Sequence, residues 1–339
     1  MSEIDFTLGR HEVILREPFI TALRTVERYP VITYTLSDQA GISGTGESVA
    51  TPAIVGDSLE EIENDLNLRI TPALQGVSSL EDGITVLSQV KAAPSSKAAA
   101  DLALHTYFAA KSGETLASSL SVSAGRIRTD VTVPVAEQEL LEKIVNDRLE
   151  KGFSSLKVKL KSQALDKNLG AMKVIHGVAD GRATLRVDPN QAWDLEYSVA
   201  FLQGLIDLGI EIEYLEQPVP RDQINALAQL HARNLAPIMA DESLFTIDNL
   251  ELLISMKACT WVNVKLLKSG GLAPALKIAE RAASEGLKVS IGSMMEGAGG
   301  VQAALVLAAH VAPELTHDLD AAWWHRDGAV TYRDGWVEL

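Results

Sequence analysis

The sequence predicts an α/β protein in which a parallel barrel of eight strands follows a smaller α+β unit. Three observations carry that prediction. From about Thr129 onward, short β-rich runs alternate with helical stretches, which implies βαβ units and parallel pairing. Eight such runs fit within about 190 residues, a density that favours a closed barrel over an open sheet. The first third of the chain has a different order, strands and then helices, as small α+β domains do. At 339 residues the chain is long enough for two domains.

In the first part, Glu12–Leu15 and Val31–Leu36 are rich in β-branched residues and read as strands. Gly41, Gly44 and Gly46 punctuate the link to another short strand. Ser58 begins a helix as its N-cap, with Glu61 three residues on to complete a capping box. Helical patterns continue over Leu80–Val90 and resume from Ser95 or Ser96 to about Lys111. The barrel strands are expected at Asp130–Val135, Ser155–Leu160, Thr184–Asp188, Ile212–Glu216, Pro237–Asp241, Trp261–Lys265, Lys288–Gly292 and Leu315–Asp318. Seven helices lie between them, at Glu137–Gly152, Ser162–Ala179, Tyr197–Leu208, Gln223–Ala232, Ile247–Met256, Ala273–Glu285 and Gly300–Ala312. The result is a (β/α)7β barrel. The final stretch, with Trp323, Trp324 and Trp336, returns to strand-like character and is expected to pack back on the first domain. The expected units are residues 1–125, 126–320 and 321–339.

Composition narrows the function classes. Apolar residues make up 47% and charged residues 22%, ordinary values for a globular protein. The net charge is −15, which disfavours general nucleic-acid binding because phosphate contacts need a basic footprint. The lone Cys259 cannot form an intramolecular disulfide, as fits a reducing compartment. No signal-peptide pattern opens the chain. The longest apolar run, Val301–Ala312, is shorter than the roughly 20 residues of a membrane span. The expectation is a cytoplasmic protein with no membrane partner; a homo-oligomer is compatible with the sequence.

Six strand ends carry a charge: Lys159, Asp188, Glu216, Asp241, Lys265 and Asp318. They are separated by 29, 28, 25, 24 and 53 residues, one strand-plus-helix unit each for the first four and two for the last. Solvated loop residues are the plainer reading of any one of them. Six in phase point to the C-terminal face, where barrel enzymes build their sites. Asp188, Glu216 and Asp241 come from three consecutive strands, and convergent carboxylates repel unless a cation neutralises them. An all-oxygen set suits Mg²⁺, with Mn²⁺ as a substitute, and not zinc. Separate helix caps are the alternative. Lys157 and Lys159, two apart on a strand, point to one face, where each raises the cost of charging the other. A lysine so depressed could serve as a base. Lys265 lies across the barrel, so two lysines could act on opposite faces of one carbon.

Lys157-Val158-Lys159, Val187-Asp188-Pro189-Asn190-Gln191-Ala192-Trp193, Glu216-Gln217-Pro218, Ala240-Asp241-Glu242-Ser243 and Asn263-Val264-Lys265 resemble the enolase superfamily, muconate-lactonising subgroup. The resemblance spans almost the whole chain in order and spacing. It implies a modified TIM barrel under an N-terminal α+β capping domain, with Asp188, Glu216 and Asp241 as Mg²⁺ ligands. It makes Lys159 and Lys265 the acid/base pair and gives Lys157 the charge on the intermediate. His317-Asp318-Leu319-Asp320 looks like the Asp-x-Asp with which dipeptide epimerases hold a substrate ammonium. Thr21-Ala22-Leu23-Arg24-Thr25-Val26 resembles the L-Ala-D/L-Glu epimerases, where the arginine meets the glutamate side chain. Gly56-Asp57-Ser58 fits the family's second capping loop.

The resemblance therefore implies a dipeptide epimerase, in the setting of murein peptide metabolism, working by two-lysine proton transfer through an enediolate. The rival readings are an epimerase of other dipeptides, an N-acylamino acid racemase, an o-succinylbenzoate synthase, or a non-catalytic metal-dependent peptide-binding barrel. Ser293, Met295 and Glu296 are expected to line the site, with Met294 beside them. Gly297-Ala298-Gly299-Gly300 opens a helix and suits close approach to substrate, with phosphate binding as the alternative.

Overall fold

The computed structural model describes residues 4–21, 24–123 and 125–339, so Ala22 and Leu23 of the Thr21–Val26 motif lie outside the described residues. Three antiparallel strands open the chain: β1 (Ile4–Ile20), β2 (Thr25–Asp38) and β3 (Ser43–Ser48), in sheet order β1-β2-β3. Asp38 shapes the turn into β3. Its Oδ1 accepts from the backbone N–H groups of Ala40 at 3.0 Å and Ile42 at 3.1 Å.

Helices α1 (Leu59–Asp65), a π-helical turn (Leu66–Ile70), α2 (Thr71–Ala73), α3 (Leu80–Gln89), α4 (Pro94–Lys111) and α5 (Leu116–Ser119) follow. Ser58 caps α1: its Oγ accepts from Glu61 N at 3.2 Å, and Glu61 Oε2 accepts from Ser58 N at 2.8 Å. Gly44 and Gly46 do not punctuate a link. They lie inside β3, where a Cβ would stand 2.0 Å from Tyr107 N and 1.9 Å from Ala99 O. The strand carries glycine because the backbone of α4 packs directly on it. A separate core of Ile32, Tyr34, Leu36, Ile62, Leu66, Ala99, Ala103 and Tyr107 holds this domain together.

The barrel strands are β5 (Val131–Val133), β6 (Ser155–Lys159), β7 (Thr184–Asp188), β8 (Tyr214–Glu216), β9 (Ile238–Ala240), β10 (Trp261–Lys265), β11 (Lys288–Gly292) and β12 (Thr316–His317), with β4 (Arg126–Thr129) leading into β5. Strands β5 to β11 form one parallel sheet in sequence order. The eighth strand closes it. On one side Asp318 N donates to Ile291 O at 3.0 Å and Ser293 N to Asp318 O at 2.9 Å. On the other, β12 pairs in parallel with β4, and Asp130 N donates to His317 O at 2.9 Å. The first strand ends before its expected Val135 because Pro134 has no N–H to extend the ladder.

The outer helices are α6 (Gln138–Glu150), α7 (Leu165–Ala179), α8 (Leu195–Asp207), α9 (Ile224–Ala232), α10 (Ile247–Ser255), the short α11 (Leu266–Ser269), α12 (Leu272–Ser284) and α13 (Ala298–Val311). The main core lies between strands and helices and contains Leu156, Val158, Leu185, Val187, Leu215, Val262, Val264 and Ile291. The alternate strand positions face the barrel axis and are largely polar: Thr132, Lys157, Arg186, Asn263 and Ser290. Among the described residues, a small apolar cluster of Tyr214, Met239 and Trp261 lies in the interior. Beside it Arg186 binds Asp130 and Glu213, each at 2.7 Å.

The chain end divides. A 3₁₀ turn, Ala321–Trp324, returns to β1, where Arg326 N donates to Ile14 O at 2.9 Å and Trp324 meets Phe19 edge-on. The hairpin of β13 (Tyr332–Arg333) and β14 (Trp336–Glu338) pairs instead with β4, and Arg126 and Arg128 lie over the Trp336 ring. Among the described residues no helix is long and apolar enough to cross a membrane.

Candidate active site

Strand geometry brings the charged strand ends together. Lys159, Asp188 and Glu216 end β6, β7 and β8, Lys265 ends β10, and Asp241 and Asp318 follow β9 and β12 directly. In the β6–β7 register Lys159 lies opposite Asp188. Strands β6 and β10 are four positions apart in an eight-stranded ring, so Lys159 and Lys265 face each other across the mouth. A cavity between them is lined by Lys157, Lys159, Asp241, Lys265, Asp318 and Asp320, with Ser293, Met294 and Met295 as one wall. The first domain covers it with Phe19, Thr21, Arg24 and Ile54.

The charges are tightly paired. Lys157 Nζ lies 2.8 Å from Glu216 Oε2, 2.8 Å from Asp318 Oδ2 and 3.4 Å from Asp188 Oδ2. Lys159 Nζ lies 2.5 Å from Asp188 Oδ2. Lys265 Nζ lies 2.9 Å from Asp241 Oδ2 and 3.4 Å from Asp318 Oδ2. Asn263 Nδ2 donates to Glu216 at 3.0 Å and to Asp318 at 2.9 Å. Lys268, from α11, binds the Asp241 carboxylate and donates to Asn263 O at 3.0 Å.

For Lys157 these pairings run against the expected depression. Burial pulls both Lys157 and Lys265 down, but the facing carboxylates outweigh it and hold both ammonium groups above their ordinary range. For Lys157 the dominant partner is Asp318, and for Lys265 it is Asp241. Asp318 and Asp241 are correspondingly held below the usual carboxylate range despite burial.

The donor set fits a hard cation. Burial pushes the Glu216 carboxyl up to about 7; Lys157 pulls against it, and Asp188, Asp241 and Asp318 add to the rise. Next to Asp241, Glu242 is pushed up to about 8 by burial and then by Asp241, Asp188 and Glu216, with Lys265 pulling the other way. Glu242 Oε2 and Asn190 Oδ1 are buried without a hydrogen-bond partner among the described residues. This is the electrostatic signature of too many oxygens for the cations present. Among the described residues, the trio of carboxylates whose oxygens all lie within 4.8 Å of one another is Asp130, Asp318 and Asp320, not Asp188, Glu216 and Asp241.

Asp320 is fixed by Thr132 N at 2.7 Å and Trp324 Nε1 at 3.0 Å. Arg24 reaches the same cavity from the opposite domain. Its backbone bonds to Thr21, and burial pulls its guanidinium below its ordinary value. Glu296 is buried, but it is not among the residues lining the cavity. Its Oε1 accepts from Met294 N at 2.9 Å. The Gly297–Gly300 run meets a carboxylate of the first domain, Glu47, instead of open cavity.

Sequence reasoning assigned no role to Lys268, Asn263, Thr132 or Gln217. Lys268 lies one turn beyond Lys265, a spacing that could have marked it. Gln217 has φ of 30° and its Oε1 accepts from Asp241 N and Ser243 N, each at 3.0 Å. It ties the end of β8 to that of β9, and nothing in its local sequence announces the tie.

Fold and site define a two-domain barrel protein whose charged chemistry sits at the strand ends beneath a capping domain. The chain belongs to the enolase superfamily. Residues 139–339 match the enolase C-terminal domain-like family, and residues 3–120 match the mandelate racemase / muconate lactonizing enzyme N-terminal domain. It is 31% identical over 310 residues to an L-Ala-D/L-Glu epimerase of Clostridium acetobutylicum, covering 90% of this chain and 86% of the relative. A substrate-liganded L-Ala-D/L-Glu epimerase from Bacillus subtilis superposes with a TM-score of 0.95 at 30% identity, covering 100% and 96%. A dipeptide epimerase from Enterococcus faecalis, complexed with Mg and L-Leu-L-Tyr, gives 0.92 at 28% identity, covering 100% and 97%.

Proposed function

We propose that this protein is a Mg²⁺-dependent dipeptide epimerase that inverts the α-carbon of the C-terminal residue, with L-Ala-L-Glu and L-Ala-D-Glu as its substrate pair. The observation that carries the reading is the pair of lysines facing each other across one cavity, with carboxylates at the strand ends between them. A base on each face of a carbon is what a 1,1-proton transfer needs. Similarity over the full chain to epimerases of this kind supports it.

Asp188, Glu216 and Asp241 would hold the metal. When bound, it supplies Lewis-acid stabilisation for a substrate carboxylate as negative charge builds on it. The remaining work belongs to the side chains. One of Lys159 and Lys265 takes the α-proton and the other returns a proton to the opposite face. Lys157, fixed between Glu216 and Asp318, adds positive charge beneath the enediolate. Asp318 and Asp320 face the substrate's ammonium. Arg24 faces its side-chain carboxylate through a planar two-donor fork. In this reading the enzyme acts in the cytoplasm on murein-type peptides.

The test is a dipeptide library incubated with Mg²⁺ in D₂O and read by mass spectrometry. Substrates should gain one deuterium and appear as both epimers, with Ala-Glu foremost. Exchange restricted to N-acylated amino acids would replace this reading with the racemase one. Binding without exchange would leave a peptide-binding barrel.

A further inference from the structure

Two barrel helices begin at glycines, and each receives its cap from the other domain. Gly270-Gly271 separates α11 from α12, and neither residue offers a side-chain oxygen. Asp101 of α4 fills the position: its Oδ1 accepts from Leu272 N at 2.5 Å and Ala273 N at 3.3 Å. Gly271 has φ of 128°, and a Cβ there would stand 2.3 Å from the Asp101 Cβ, so the glycine is what admits the carboxylate. Asp101 is 1% exposed.

Helix α13 repeats the arrangement. Its N-cap is Gly297, and Gly299 N and Gly300 N donate to Glu47 Oε2 of β3 at 2.8 Å and 3.3 Å. A Cβ on Gly297 would lie 2.2 Å from that oxygen. The glycine-rich run after β11, with the composition of a phosphate site, thus holds the protein's own carboxylate.

A helix start leaves N–H groups unpaired and carries partial positive charge, and a carboxylate answers both. Here the acid and the helix belong to different domains, so each cap is also a docking contact in fixed register. The helices concerned are not arbitrary. Helix α12 follows the β10–α11 segment that bears Lys265, and α13 follows the Ser293–Met295 wall. The domain that supplies Asp101 and Glu47 is the one that carries Arg24 and Ile54 over the cavity.

We infer that Asp101 and Glu47 are positioning residues: they seat the capping domain on the starts of α12 and α13, and so place Arg24 and Ile54 relative to Lys265 and the Met294–Met295 wall. The kinetic half of this inference rests on the epimerase reading; the docking half rests on geometry alone.

Amide hydrogen exchange and steady-state kinetics on the full chain test the two halves separately. Asp101→Ala should speed exchange at residues 272 and 273 by roughly 5–30-fold while sparing 299 and 300, and Glu47→Ala should do the converse. Asp101→Asn and Glu47→Gln keep an acceptor oxygen and should restore most of the protection. In kinetics, Glu47→Ala should raise KM for L-Ala-L-Glu more than it lowers kcat and reduce the preference for L-Ala-L-Glu over L-Ala-L-Leu. Unchanged protection in both alanine variants overturns the inference. So does a uniform loss of protection along the chain that the amide variants fail to restore. Local loss of protection with an unchanged substrate preference overturns the positioning role. If the unaltered protein turns over no dipeptide, the proposed function falls while the exchange result still decides the caps.

Discussion

The barrel mouth and the lid above it are built on opposite principles. At the mouth the charged side chains are buried and paired, Lys159 with Asp188 and most of the others with several partners. Lys157 alone touches three carboxylates, and Asp318 is shared by Lys157, Lys265 and Asn263. Above it, Arg24 is half-buried and no carboxylate pairs with it among the described residues, and the Ile54 carbonyl is bound by the exposed Arg221 at 2.9 Å. An over-determined network fixes reacting groups to within fractions of an ångström, as proton transfer demands. A lightly held lid can change its residues without disturbing that network. On the proposed function, the proton transfer belongs to the barrel and the choice of substrate side chain to the lid, so damage to each should be distinguishable by measurement.

The largest effects should come from the mouth. Lys159→Ala and Lys265→Ala should each lower epimerisation by about 10²–10⁴-fold, the usual worth of a general acid or base. Each should leave α-proton exchange of one epimer in D₂O, because the opposing base survives. Wild-type epimerisation in either variant would break the two-base scheme. Removal of metal comes next. Excess EDTA should abolish turnover, and Glu216→Gln should cost more than about 10²-fold while the circular dichroism spectrum stays native. Full activity in EDTA would show that the three carboxylates serve only the lysines.

The same division governs what could be read from the sequence. The charged strand ends were legible because each closes a β-rich run and recurs at the length of one strand-plus-helix unit. The interior was not. Arg186 and Asn263 fill inward positions of the barrel strands that no local pattern marks as polar, because only the outward positions pack on helices. The capping acids were illegible for another reason. Asp101 lies 171 residues from Leu272 and Glu47 lies 252 from Gly299, distances at which no local pattern operates. Gly44, Gly46, Gly271 and Gly297 were visible as glycines. Their cause, a close approach by another part of the chain, needed the structure. Asp318 shows what a motif leaves unsaid: the resemblance implies an ammonium partner, and the structure adds that its Oδ2 faces two lysines and Asn263.

Damage to the lid should be smaller and selective. Arg24→Ala should lower kcat/KM for L-Ala-L-Glu by about 10–150-fold, the worth of one charge-assisted contact. Dipeptides with an apolar second residue should be nearly unaffected. A panel of L-Ala-Xaa substrates decides it, and a preference of the unaltered enzyme for cationic or aromatic Xaa would remove the glutamate assignment while leaving the two-lysine chemistry intact.

The smallest effect should come from the seam between the two regions. Glu296 is 3% exposed, and its carboxyl is pushed up to about 8, first by burial and then by Glu47, with the Met294 N–H pulling the other way. A carboxyl that holds its proton in the folded state but releases it in the unfolded chain costs stability as pH rises. The loss begins near the unfolded value of about 4.3, grows by on the order of 1.4 kcal/mol per pH unit at most, and levels off above about 8. Glu296→Gln removes the ionisation and keeps an oxygen to accept from Met294 N. Its melting temperature should match that of the unaltered protein near pH 5 and exceed it by a few degrees near pH 8.5. Its kcat/KM should stay within about threefold, because the side chain does not line the cavity. A large fall in kcat/KM at unchanged stability would place Glu296 against the substrate, where the sequence first put it, and would move the seam into the catalytic half of the comparison.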